Sequence, residues 1–152
     1  MCSTLHVYME LPKHQPEIAD NLMKIIYGTW FLSLILPTEG WTPGIVFLFI
    51  GWIGMFGANF AWLANMFILM AHIQMRAGYY LSSLRIGIFA FLVSLQSLFT
   101  KNIGIDITEK PVWGIGYYVW ELSFVLLILF SYYLLRQQKK TLAGASLPLT
   151  VR

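Results

Sequence analysis

A single carboxylate, Glu121, interrupts the apolar run GYYVWELSFVLLILF. An ionised acid at mid-membrane costs about 2.5–3.5 kcal/mol even on lenient insertion scales, so such a residue serves proton-linked chemistry, bonds neighbouring helices as a neutral acid, or lies close enough to the outer interface to stay hydrated. Four more polar side chains stand in comparable settings: Asn59 and Asn65 within GWIGMFGANFAWLANMFILMAHI, His72 near the end of that stretch, and Gln96 in SLQSL. Amides of this kind join helices at roughly 0.6–2 kcal/mol per bond. An imidazole can ligate a metal, but His72 has no local acid and His6 and His14 lie far away near the N-terminus. It reads as an interfacial hydrogen-bonder, and no metal site is expected.

No HExxH, GxSxG or DxxD arrangement is present, and Ser83, Ser94 and Ser97 fall on a packing stripe instead of beside a histidine. The single cysteine, Cys2, excludes paired-thiol chemistry within one chain and reads as a residue of a tail. The sequence therefore predicts a non-enzymatic protein with no catalytic residue, no cofactor and no metal.

The elements that must position these groups are membrane spans. Of 152 residues, 58% are hydrophobic and 11% charged, against about 25% charged in soluble domains. Four solidly apolar windows approach or exceed the length of about 20 residues that a crossing needs: Leu22–Leu36, Ile45–Ile73, Leu81–Thr100 and Trp113–Leu135. The runs lack the alternation of a β-barrel, so the expected fold is an all-α bundle of four transmembrane helices in one domain, with mobile tails over 1–15 and 137–152. No apolar stretch resembling a cleavable signal occurs in residues 1–20.

The net charge of +3 might suggest nucleic acid, but its distribution matters more in a membrane chain. Lys13 and Lys24 flank the first span, Arg76 and Arg85 the connection between the second and third, and Arg136, Lys139 and Lys140 follow the fourth. The loop 37–44 has no basic residue, and in the last loop Lys101 and Lys110 are offset by Asp106 and Glu109. Both termini are thus expected in the cytoplasm, as in a multi-pass protein of a bacterial inner membrane. Pro16-Glu17 with Asp20 marks a helix start leading into the first span, and PTEGWTPG reads as a tight turn.

Small residues recur at helix-seam spacing. Gly51, Gly54, Ala58, Ala61, Asn65 and His72 form one line if residues 45–73 are a single helix, and Ser83, Gly87, Ala90, Ser94 and Ser97 form another on the third span. These lines predict that spans two and three pack on each other. Asn59 lies off the seam and is expected to bond the first or fourth span, or a second copy. Glu121 is placed at the depth of Ser94, Gln96 and Ser97, far from Arg85 and His72.

The composition is similar to that of many small bacterial membrane proteins, a likeness that implies no activity. The expected function is protein–protein contact within the lipid bilayer, as an accessory or regulatory subunit or as an immunity protein against a membrane-acting toxin. Its partner would be another membrane protein or itself. The alternative is a small oligomeric channel or proton-coupled transporter using Glu121, with Asn59 beside it.

Overall fold

Pro16 opens the first helix, where a missing N–H costs nothing because the first turn has no partner for it. In the computed structural model, α1 then runs unbroken over Pro16–Ile35, so the helix start at Pro16 and the first expected span are one helix. Residues 16–57, 59–98 and 113–145 are described. Both chain ends, residues 99–112 and Ala58, one of the expected seam residues, lie outside them. Pro37 blocks continuation of α1, and the chain turns through a small hairpin, β1 Pro37–Glu39 and β2 Thr42–Pro43, with Gly40 at φ 55° and Trp41 almost fully exposed.

The stretch expected as one long second span is broken. It consists of α2 Gly44–Ile50, a 3₁₀ segment Gly51–Gly57, a 3₁₀ turn Ala61–Leu63 and α3 Ala64–Arg76. The indole of Trp62 donates to the carbonyl of Leu48 at 2.8 Å. In a continuous helix those residues would stand about 21 Å apart along the axis, so the chain doubles back between them. Three glycines in seven residues lower helix stability by about 1 kcal/mol each relative to alanine. Their spacing of three also matches the 3₁₀ repeat better than the α repeat. At Gly51 a side chain would collide with Trp62, its Cβ lying 2.8 Å from Cδ1, so glycine permits the fold-back.

Gly78, at φ 80°, turns the chain into α4 Tyr80–Ser94, which ends in a 3₁₀ turn Leu95–Leu98. The last helix, α5, spans Ile115–Ala145. It passes the expected span end at Leu135 by three turns, so residues 137–145, assigned above to a tail, are helical. Among the described residues two helical stretches are long and apolar enough to cross a membrane, Tyr80–Leu98 and Ile115–Gly144. The described chain is all-α apart from the small hairpin.

Helices α1, α3, α4 and α5 alternate in direction. Trp30 meets Asn65, Tyr27 meets His72 and Asp20 meets Arg76, which sets α3 antiparallel to α1. Ser97 meets Tyr117, Ser94 meets Glu121 and Ser83 meets Ser131, which sets α5 antiparallel to α4. A shared core includes Met23 and Ile26 of α1, Ile68 and Met75 of α3, Ala90 of α4, and Phe124 and Leu127 of α5.

The small-residue stripe of α4 faces α5, not the second apolar stretch. Gly87 abuts Leu127, where a Cβ would approach Cγ to 3.2 Å. The physical reason is that α5 carries the polar partners, Glu121 and Ser131, which the serines of α4 must meet. Contact between α3 and α4 instead uses larger groups, such as the edge-on pair Phe67 and Phe89.

Candidate functional site

Four of the five polar residues singled out by sequence, Asn59, Asn65, Gln96 and Glu121, gather toward the end of the bundle that carries the hairpin, but in three separate arrangements. The first centres on Asn65, which is buried. Its Oδ1 accepts from the indoles of Trp30 (2.9 Å) and Trp120 (3.0 Å), and its Nδ2 donates to the carbonyl of Trp62 (3.1 Å). One amide thereby ties α1, α3 and α5 together and fixes the planes of two indoles. Ala61, also buried, lies one turn before it.

The second arrangement repairs the broken backbone. Asn59 Oδ1 accepts from the N–H of Ala61 (3.1 Å), and Gln96 Oε1 accepts from the N–H of Phe60 (2.9 Å). These are donors a helix would have satisfied internally, and side chains must satisfy them where the helix stops. Gly54, expected on a helix seam, instead faces Asn59 across this turn, with room for a Cβ in ordinary contact.

Glu121 anchors the third. It is buried, and Ser94 Oγ lies 2.8 Å from its Oε2 and 2.7 Å from the carbonyl of Phe91. One serine proton cannot serve two acceptors fully. Ser97 donates to the carbonyl of Ser94 (2.8 Å) and lies 3.2 Å from the hydroxyl of Tyr117. Glu121 Oε1 is buried without a hydrogen-bond partner.

His72 belongs to none of these. Its Nδ1 meets the hydroxyl of Tyr27 at 2.5 Å, toward the opposite end, near the Asp20–Arg76 ion pair. Among the described residues no group of histidine, cysteine and acidic side chains is suited to a metal.

Beside the Asn65 arrangement is a cavity of about 150 Å³. Trp62, Trp113, Trp120, Tyr117 and Phe47 form much of its wall, and Glu39 lies at its edge on the hairpin. Glu39 and Trp113 are backbone bridge partners, which puts their side chains next to each other. Trp113 stacks on Tyr117 with ring centres 4.5 Å apart. Neither Trp62, Trp120 nor Glu39 stood out as a site residue in the sequence; the signal was the concentration of tryptophan around turns, which reads equally as an interfacial belt.

Comparisons with protein-family models, curated proteins and solved structures find no match. The functional reading therefore rests on the geometry.

Proposed function

We propose that this chain is a multi-pass membrane protein that acts by binding, through protein–protein contacts in the bilayer, as an accessory or regulatory subunit or an immunity protein. In this reading α1, α4, α5 and α3 with the 3₁₀ turn before it cross a bacterial inner membrane, with both termini in the cytoplasm. Lys24, Arg76, Arg85, Arg136, Lys139 and Lys140 all lie away from the hairpin end, as the positive-inside rule requires of the cytoplasmic side. The α2 and 3₁₀ segment, whose exposed side chains include Phe49, Ile53 and Phe56, presents apolar surface to lipid or to a partner.

The observation that carries the binding reading is that the polar side chains within the bundle are bonded chiefly to one another: Asn65 to two indoles, Ser94 to Glu121, Ser83 to Ser131. Such closed sets join helices, whereas a conduction path needs polar groups turned toward a shared water-filled route.

A second reading, a proton-linked channel or transporter assembled from several copies, draws on the unpartnered Oε1 of Glu121. Purified protein in liposomes loaded with a pH-sensitive dye separates the two. The binding reading expects a proton gradient to decay no faster than in protein-free vesicles. Decay that is accelerated by the protein and abolished by Glu121→Gln would establish the second reading instead.

A further inference from the structure

We propose that Glu121, where α4 ends against α5, holds Na⁺ or a cation of like size and charge. The carboxyl is buried, and its Oε1 has no hydrogen-bond partner. Three hydroxyls stand near it. Ser94 Oγ lies 2.8 Å from Oε2, Tyr117 precedes Glu121 by one turn on the same side of α5, and Ser97 Oγ lies 3.2 Å from the Tyr117 hydroxyl. Ser94, Ser97 and Tyr117 are buried as well. An ionised carboxylate in apolar surroundings needs a counter-charge, and nothing bonded to Oε1 supplies it. The backbone sharpens the need, because Glu121 meets the C-terminal end of α4, whose last residue is Ser94. A helix presents about half a negative charge at that end, so the field opposes the carboxylate and favours a cation beside it.

The available ligands are all oxygens. Ser94 Oγ directs its proton at Phe91 or Glu121, and Ser97 Oγ directs its own at the carbonyl of Ser94, which leaves lone pairs on both serine oxygens and on the Tyr117 hydroxyl. Hard cations take oxygen ligands of this kind and need no histidine or cysteine. The 3₁₀ turn Leu95–Leu98 that follows α4 is an unwound helix end, the backbone form whose carbonyls hold Na⁺ in membrane proteins. A single carboxylate sets the charge: a monovalent ion neutralises the site, whereas a divalent one would leave net positive charge among apolar groups. Oxygens already 2.8 and 3.2 Å apart suit a small ion, and one as large as K⁺ would have to spread them. Ser97 and Tyr117 also line the hairpin-end cavity, so the cluster is one side-chain layer from that space. A bundle that acts by binding a partner can hold such an ion as a fixed part of its α4–α5 joint, with no conduction.

Full-length protein in dodecyl maltoside, freed of Na⁺ by dialysis against N-methylglucamine chloride, provides the test. Replacing N-methylglucamine by Na⁺ at constant chloride is expected to raise the thermal midpoint saturably, by about 3 °C or more. Radiolabelled Na⁺ should bind at one ion per chain. K⁺ should require concentrations about tenfold higher for the same effect. Ser94→Ala should weaken Na⁺ binding by a similar factor with unchanged circular dichroism. Ser131→Ala, a loss of a buried serine about 15 Å further along α5, should leave the affinity for Na⁺ unaltered.

Glu121→Gln should abolish saturable Na⁺ binding. Should that variant not fold, the unchanged chain still decides: Na⁺ is expected to slow modification of Glu121 by a carbodiimide, read by mass spectrometry, and N-methylglucamine is not. Absence of saturable Na⁺ binding overturns the proposal. So do an equal response to K⁺, a Glu121→Gln chain that folds and binds Na⁺ as before, or a carbodiimide reaction indifferent to Na⁺. Stabilisation by acid pH but not by Na⁺ would assign the carboxyl to a proton and overturn it too.

Discussion

The α4–α5 interface and the stretch from Gly44 to Leu63 are built from similar residues, small ones set among large apolar ones, yet the first is regular and the second is broken. Along α4 and α5 each helix satisfies its own backbone, so Ser83, Gly87 and Ser94 are left only with the work of close approach and a few cross-helix bonds. In the broken stretch the backbone is deprived of helical partners, and Trp62, Asn59 and Gln96 take their place. The difference teaches that in apolar surroundings a polar side chain is best read by asking which backbone group nearby lacks a partner.

The sharpest way to break this comparison is Asn65→Leu. It removes three bonds and strands two indole N–H groups, with an expected loss of roughly 2–4 kcal/mol and a shift in tryptophan emission. A thermal midpoint in detergent within a degree of the unchanged protein would deny Asn65 its role as the joint of three helices.

Gly87→Leu comes next. The side chain would be driven into Leu127, at a cost of about 1–3 kcal/mol, whereas Gly54→Leu, where a Cβ would meet Asn59 only at ordinary contact distance, should cost clearly less. Equal losses at the two sites would erase the distinction between a packed seam and a turn. Trp62→Phe should cost about 1 kcal/mol and speed amide hydrogen exchange over residues 44–57 more than over α5; uniform exchange would show that the indole does not hold the fold-back.

The smallest effect belongs to the paired serines. Ser83→Ala alone leaves Ser131 without its side-chain partner, while Ser83→Ala with Ser131→Ala removes both ends. The double variant is expected to lie within about 1 kcal/mol of the original and to be no less stable than the single one.

Much of the frame is legible in the sequence because its signals are local. Pro16 marks the start of α1, Pro37 follows its end, Gly78 turns the chain into α4, and the stripe on α4 can be found by counting. The level of Glu121 beside Ser94 and Ser97 follows from helical rise once the direction of α5 is assumed. The identity of the neighbour is not local: the α4 stripe shows that some helix comes close but not which one, and α5 rather than the second apolar stretch meets it.

The break at residues 51–60 is hidden because hydropathy averages over it. Glycines at a spacing of three are its one local trace, and they satisfy a seam pattern equally well. The cavity is the least legible part, since Glu39, Trp62, Trp113 and Trp120 come from separate turns and helices and share no sequence period.

The fold-back at Trp62 bears on how the chain is made. Insertion machinery sorts nascent segments by hydropathy, and residues 45–73 offer it one uninterrupted apolar segment, about 44 Å long as a straight helix against a hydrocarbon core of about 30 Å. The finished protein has no such helix; it has an elbow held by a bond to the carbonyl of Leu48 within the same stretch and by one to Gln96, far along the chain. Gln96 follows Phe60 by 36 residues, so the elbow's backbone acquires that partner only when the third apolar segment follows it into the bilayer. Maturation of this region is thereby a late, post-insertion event, timed by α4.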